Sequence, residues 1–351
     1  MRVLHLNLEK GWRGGERQTL LTLRGLRAAG HEAALAARAG GPLAQRAQAA
    51  GIPVLACRGA LDLARVLLAH RRAFDVIHAQ TAQAMSLLAL LRPALRAALV
   101  FTRRTAFDAP DKARRQRWKW GRADAVVAIS AAAAAAPRAL GLPVLIIPSA
   151  VEAASADPGR VAALRRQHGL AGRRVLVTAA ALSPEKDPLT LIEAVARLRA
   201  GHPDVLCLHC GADGAAAPEA RERVRALGLQ DHYRFAGFQA HVADALAAAE
   251  VYVSSSRREA LGTSVLDACL AGLPVVATDV GGHPEILLPD RGLLAPAGDP
   301  ETLARRIAWV LDHPEAARSM AARAQAHVAQ AYSVPAMVDG YLRVYRSLAG
   351  A

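Results

Sequence analysis

The segment Ser254 to Leu270, SSSRREALGTSVLDACL, holds the densest chemistry in the chain. It reads as the end of a strand, a loop with Glu259 and Gly262, and a helix entered near Thr263. Unpaired amides at such a helix start form a positive pole that suits phosphate. Glu259 lies beyond that tip and Asp267 just over one turn into the helix, so both carboxylates can address one ligand. Paired carboxylates bind vicinal hydroxyls through charge-assisted hydrogen bonds. Taken alone, a loop glutamate is more often simply solvated.

A cation occupies a similar place earlier. The strand run Val175–Ala179 leads into Ser183-Pro184-Glu185-Lys186-Asp187-Pro188 and then a helix. An ammonium just past a strand's carboxyl end suits a diphosphate; the plain alternative is an exposed turn lysine. Gly281-Gly282 follows another strand run and offers a further loop of backbone N–H groups. In the first half, Gly11, Gly14 and Gly15 stand between the first strand and the first helix, where a ligand can approach backbone amides. A purely structural turn accounts for that spacing equally well. Neither GxGxxG nor a Walker A sequence is present.

Cys207 and Cys210 form a lone C-x-x-C around His209 in the apolar run VLCLHCG. A structural zinc site needs four ligands, and Cys57 and Cys269 supply no second pair, so the two thiols read as core packing and no metal is expected. His78 in DVIHAQ and His283 in GGHPE read as packing or turn residues.

The elements that must position these groups alternate along the chain. Strand runs are Val3–Leu6, Ala33–Ala36, Val54–Cys57, Val76–His78, Leu99–Thr102, Ala125–Ile129 and Val144–Ile147, then Val175–Ala179, Val205–His209, Tyr233–Ala236, Val251–Ser254, Val275–Thr278 and Gly292–Ala295. Helical patterns fall between them, among them Arg17–Ala29, Ala131–Ala136 behind the N-cap Ser130, Leu189–Ala200 and Leu303–Leu311. Such alternation predicts two doubly wound parallel sheets, each covered on both faces. Pro148–Gly159 reads as the linker between them. The length of 351 residues suits two domains, and ligands are expected beyond the strands' carboxyl ends, in a cleft between facing domains.

Charge divides unevenly. Residues 1–150 hold 23 Lys and Arg against 8 Asp and Glu, a net +15, while the remainder carries 21 against 22. A basic first half faces something anionic. The densest stretch, Arg103 to Arg122, has eight basic residues with Trp118 and Trp120 interleaved. Arg103, Arg104, Arg114, Arg115 and Trp118 are the expected contacts to an anionic acceptor or to the headgroup layer of an anionic membrane. A solvated face and single-stranded nucleic acid are the competing readings; nucleic acid is not the expected partner. Four cysteines make no disulfide scaffold, the first residues show no signal-peptide pattern, and no run is apolar enough to span a bilayer. A cytoplasmic protein, peripheral on the inner face of the plasma membrane, is the expectation.

Nearly end to end, these residues in this order resemble family four of the retaining glycosyltransferases, which have the GT-B fold. The resemblance runs from RGGERQTLLTLRGLRAAGHEAAL through FDVIHAQ, AVVAIS and IIPSAVE. It strengthens in AALSPEKDPLTLIEAVARL, YRFAGF, the block from Ser254 to Leu287, and GLLAPAGDPETLA. It implies an acceptor-binding domain at 1–152, a nucleotide-sugar-binding domain at 153–334, and a C-terminal helix at 335–351 that crosses back to the first domain. Glu259 then matches the first acid of an E-x7-E motif, contacting hydroxyls of the donor sugar. Asp267 matches the second acid, holding the ribose, and Lys186 the lysine on the diphosphate. Gly262, Thr263 and Ser264 match the turn whose amides meet the phosphates. Phe235 to Phe238, with Gly237, lies where the family contacts the base, and Gly14 and Gly15 match the glycine turn of the acceptor domain.

The activity implied is metal-independent hexosyl transfer, with retention, from a nucleotide sugar, UDP-linked in the first instance, to a cell-envelope saccharide such as lipopolysaccharide or a lipid-linked acceptor. The nucleotide sugar is a substrate, so no cofactor is expected. A nucleotide-sugar epimerase on the same fold, or a non-catalytic nucleotide-sugar-binding subunit, is the alternative. Departures from the family pattern are an Asp one methylene shorter at 267, Ala181 where Arg is frequent, Arg103-Arg104 where a His is frequent, and Ser149 for the usual Asn.

Overall fold

The computed structural model describes residues 1–106 and 112–349. Residues 107–111, inside the basic stretch singled out above, lie outside the described residues. Two compact units divide the chain: Met1–Ala150 with the segment from Tyr332 onward, and Val151–Ala331.

The first unit has a seven-stranded sheet: β1 (Arg2–Asn7), β2 (Glu32–Arg38), β3 (Val54–Cys57), β4 (Val76–Ala79), β5 (Ala98–Arg103), β6 (Ala125–Ala128) and β7 (Val144–Ile146), in the order β3-β2-β1-β4-β5-β6-β7. The second has β8 (Arg174–Ala179), β9 (Val205–Cys210), β10 (Tyr233–Gly237), β11 (Val251–Ser254), β12 (Val275–Thr278) and β13 (Leu293–Ala295), in the order β10-β9-β8-β11-β12-β13. All strand pairs are parallel. Both orders reverse direction once, between β1 and β4 and between β8 and β11. In doubly wound sheets that reversal opens a crevice beyond the strand ends, where ligands bind.

Strand periodicity sorts the first unit's core into two layers. Val3, Val76 and Val100 face one layer, with the helix Gly14–Ala28 and the C-terminal helix Val334–Ala349, which supplies Met337, Val338, Tyr341 and Tyr345. Leu4, Ile77, Leu99 and Phe101 face the other, with Met85, Leu88 and Trp120. In the second unit Leu176, Val205, Val253 and Val276 pack against Leu191, Val195 and Ile307 of the helices Pro188–Leu198 and Pro300–Asp312.

One helix starts earlier than its expected bound, and one short helix stands where only a glycine loop is expected. The first helix begins at Gly14, three residues before Arg17, although glycine is a poor helix former. Glu16 reaches back to accept the Arg13 backbone N–H at 2.9 Å, closing a capping turn over both glycines. The helix after β12 begins at His283 and spans only His283–Leu287.

Candidate functional site

In the second unit the reversal point lies between β8 and β11, and the loops that leave these two strands carry Lys186 and Glu259. Their side chains form an ion pair, both partly shielded from solvent. The β8 loop turns back through the Lys186 and Asp187 N–H groups, which donate to the Ser183 carbonyl at 3.0 and 3.2 Å. It is then stitched to the β11 loop. Ser255 Oγ reaches the Lys186 and Asp187 carbonyls at 3.1 and 2.9 Å, and the Arg257 and Arg258 N–H groups reach the Glu185 carbonyl at 2.9 and 3.2 Å. Both members of the pair therefore ride on loops fixed by main-chain contacts.

Gly262 caps the helix Thr263–Leu270 with a left-handed φ of 99°, a conformation that favours glycine. A β-carbon there would also stand 2.9 Å from His283 Nε2 and 2.7 Å from its Cδ2, so the turn must be glycine on two counts. The first N–H groups of this helix point out of its start, beside Glu259. Thr263, Ser264 and Asp267 are half-buried. Gly281 packs so closely under the Glu259 loop that a β-carbon would strike the Glu259 carbonyl. The Gly281-Gly282 loop thus buttresses Glu259. His283 is fully buried, and its Nδ1 donates to the Thr278 carbonyl at 2.8 Å. Burial holds its imidazole below its ordinary pKa, against the pull of the Glu259 carboxylate.

At the end of β10, Gly237 has a left-handed φ of 70°, and the Phe238 ring beyond it is two-thirds exposed. Phe235 lies inside, under the Arg221 guanidinium at 4.8 Å. Cys207 and Cys210 are buried on β9, where burial raises both thiol pKa values.

The first unit gathers polar groups at its own reversal point. His78 on β4 has Tyr345 Oη 2.6 Å from Nδ1 and Thr102 Oγ1 2.7 Å from Nε2. Gln80 Nε2 lies 3.0 Å from His5 Nδ1. Burial, with the Arg104 charge, holds His5 at about 3 and His78 well below its ordinary value, so both rings are neutral near pH 7. Arg104 donates twice to Gln80 Oε1, at 2.6 and 3.1 Å, and to Ser149 Oγ at 3.2 Å. Its Cδ lies 3.8 Å from where a Gly15 β-carbon would stand, placing it beside the glycine turn, where Gly14 is exposed. The substituted positions 104 and 149 therefore touch one another.

Successive strand residues face opposite ways, and the Arg103-Arg104 pair divides accordingly. Arg103 is buried, 4% exposed, with its guanidinium 4.8 Å above the Trp120 ring and its Nε donating to the Thr105 carbonyl. It is placed inside the unit, unlike the surface contact expected of it. Trp120 is buried too, stacked on Phe101. Trp118 is 45% exposed, under the Arg122 guanidinium at 5.3 Å, and Arg114 and Arg115 are exposed beside it on the helix Ala113–Trp120.

Sequence reasoning left Asp187, Ser255 and Arg257 unassigned, and nothing local in the sequence announces their contacts. Arg103 was findable, because it shares the alternation of buried Leu99 and Phe101.

The comparisons agree with this architecture. The family described as Glycosyl transferases group 1 matches residues 161–327, and Glycosyltransferase Family 4 matches residues 12–155. A putative glycosyltransferase of Bacillus subtilis, EpsD, is 35% identical over 159 residues, 45% of this chain and 42% of its own. The lipopolysaccharide core biosynthesis glycosyltransferase LpsE of Rhizobium meliloti is 35% identical over 160 residues, 45% of either chain. The chain thus spans about half the length of the curated relatives it matches. Among solved structures, Anabaena HepE in complex with UDP superposes with a TM-score of 0.88 at 24% identity, covering 99% of this chain and 100% of the other. The same protein is also solved with UDP-glucose. Two parallel sheets of this order and both family matches lead to one conclusion: the chain belongs to the family-four type of glycosyltransferases with the GT-B fold.

Proposed function

We propose that the protein is a retaining glycosyltransferase that moves a hexosyl group from a nucleotide-diphosphate sugar to a cell-envelope saccharide or a lipid-linked acceptor. The observation that carries this reading is the Lys186–Glu259 pair at the reversal point of the second sheet, beside the Gly262 turn. The bond broken joins the anomeric carbon to a diphosphate oxygen. As it lengthens, negative charge grows on the leaving diphosphate and positive charge on the sugar. Lys186 and the amides of Gly262, Thr263 and Ser264 stabilise the first by charges already in place. Glu259 orients the sugar hydroxyls and Asp267 the ribose, contributing position rather than proton transfer. The ammonium and the helix start supply the charge neutralisation without calling on a metal. Gly237 and Phe238 offer an exposed ring and a bent strand end for the base.

HepE binds UDP-glucose, so a uridine diphosphate sugar is the first donor to test. LpsE, a lipopolysaccharide core enzyme, is the reason to look for the acceptor among envelope saccharides. The helices Ala60–Ala69, Ala82–Leu91 and Ala113–Trp120 pack in turn and expose Leu61, Leu90 and Trp118, the last on the helix that also exposes Arg114, Arg115 and Arg117. Apolar side chains set among guanidinium groups suit a peripheral seat on an anionic, cytoplasmic membrane face. Among the described residues no helix is long and apolar enough to cross a membrane. Arg104, beside the Gly15 turn, is assigned to an anionic group on the acceptor.

A thermal-shift panel of UDP-, GDP-, ADP- and TDP-sugars tests the donor, since a ligand that binds only the folded state raises the transition temperature. UDP-glucose is expected to raise it in the native protein and not in Lys186→Ala. No shift with any member would overturn the reading. Donor turnover without acceptor would point to an epimerase instead. Proton NMR of the product then reads the anomeric configuration.

A further inference from the structure

Two ion pairs cross between the same two loops. Lys186 of the β8 loop meets Glu259 of the β11 loop, and the next residue, Asp187, meets Arg257, whose Nε donates to Asp187 Oδ2 at 2.7 Å. Each loop gives one cation and one acid. Resting on the reading of Lys186 as the diphosphate ligand, we propose that Asp187 and Arg257 are a positioning pair that sets where Lys186 stands toward the donor's diphosphate.

Lys186 carries its ammonium on a flexible four-carbon stem, so its aim depends on how firmly its backbone is rooted. The root is unusual. Asp187 has a φ of 45°, the one left-handed conformation among described residues other than glycine. A residue held there is strained, and it persists only where its surroundings over-determine it. Here they do. Asp187 is 4% exposed, its Oδ1 accepts the Thr190 N–H at 3.3 Å, and its Oδ2 accepts the Thr190 hydroxyl at 2.6 Å as well as Arg257. Its carbonyl accepts Ser255 Oγ. One carboxylate thus ties the helix start Pro188–Leu198, the lysine's own peptide and the β11 loop into one piece.

This pair does work that the Lys186–Glu259 pair cannot. A donor that draws Lys186 onto its diphosphate and Glu259 onto its sugar takes both partners into its own contacts. The loops must then keep their spacing by other means. Asp187–Arg257 has no role on the donor in this assignment and stays closed while the other pair opens. Arg257 is mostly exposed, so its partner, not burial, fixes it.

The test separates this from a simple helix cap. Asn at 187 keeps both the left-handed turn and the capping oxygen but drops the charge. Titration calorimetry with UDP and UMP, and with the corresponding guanosine, adenosine and thymidine pairs, measures the preference for diphosphate over monophosphate. Asp187→Asn and Arg257→Leu are each expected to weaken diphosphate binding about tenfold and to leave monophosphate binding within about twofold. The double variant should be no worse than either single one, and Arg257→Lys should recover part of the loss.

Equal losses of diphosphate and monophosphate, or additive losses in the double variant, overturn the pair. A silent Asp187→Asn beside a damaging Arg257→Leu also overturns it, since Arg257 would then be a direct ligand. Lys186→Met is the control for the underlying reading. If it leaves the diphosphate preference intact, the site assignment itself falls. If it abolishes that preference while the pair's variants do nothing, only the positioning pair falls.

Discussion

The two sheets share one strand order, and each gathers polar groups where that order reverses, yet they fill the place differently. In the second unit the groups are opposite charges on loops: Lys186 with Glu259 and Asp187 with Arg257. In the first they are mostly neutral and buried: His5, His78, Gln80, Thr102, Tyr341 and Tyr345, with Arg104 held by Gln80 and Ser149. On the proposed reading, the charged loops exchange partners with a charged ligand. The neutral network is satisfied internally and fixes the shape of its sheet end. Changes in the charged loops should therefore be read in rate and affinity, and changes in the neutral network in stability.

The largest effect should fall on the charged loops. Lys186→Ala is expected to lower sugar transfer by about 10²–10³, the usual consequence of removing one pre-placed charge-stabilising group, and Glu259→Ala by about 10² through a misplaced sugar. Circular dichroism should be unchanged, because main-chain contacts, not these two side chains, fix the loops that carry them. Near-native rates in both variants would erase the contrast between the units.

Acid should reverse the ranking. His5 and His78 bind protons only far below the ordinary histidine value near 6.5, so the unfolded chain takes up protons first. The stability they contribute is whole above about pH 6.5 and drains away as pH falls, for His5 toward about 3, by up to about 1.4 kcal/mol per pH unit for each ring. His209 in the second unit, held at about 4, drains in the same direction over a narrower window. Hydrogen exchange at pH 7 and pH 5 should show protection of the segments 2–7 and 76–79, which carry two such rings, falling more than that of 205–210, which carries one. An equal fall in both would mean that the two sheet ends are less different than they look.

On the basic face of the first unit, Arg114→Gln with Arg115→Gln should weaken sedimentation with anionic vesicles by about 2 kcal/mol, at about 1 kcal/mol per charge near the surface. Unchanged sedimentation would remove the membrane from the picture and leave the charge to a soluble anion.

The contrast also marks what the residues alone reveal. Both sheets were legible because every strand is a short apolar run bounded by turns, and the Lys186 and Glu259 loops because each lies within one stretch of chain. The partnerships were not. Asp187 finds Arg257 across 70 residues, and His78 finds Tyr345 across 267. Periodicity places a residue on a face, but it does not say which distant helix covers that face. The C-terminal helix covers the first sheet's polar side, and only that docking shows why two histidines and two tyrosines are tolerated inside.

The smallest effect tests that docking. Tyr345 stands 2.6 Å from His78 Nδ1 and 3.4 Å from His5 Nε2, and its phenol is held above its ordinary pKa by burial, so it is a neutral hydroxyl. Tyr345→Phe removes that hydroxyl and keeps the ring that stacks on Tyr341 at 6.0 Å. It takes from His78 Nδ1 the shorter of two contacts, leaving Gln80 Nε2 at 3.2 Å, a loss of about 1 kcal/mol, the net worth of one hydrogen bond. Thr102→Val removes the hydroxyl 2.7 Å from the other nitrogen of the same ring at similar cost. Because both act on one imidazole, the double variant should lose less than the sum of the two. Denaturant titration of the three variants measures this directly. Additive losses would show that the hydroxyls act independently, and that the first unit's polar core is a collection of separate bonds rather than one network.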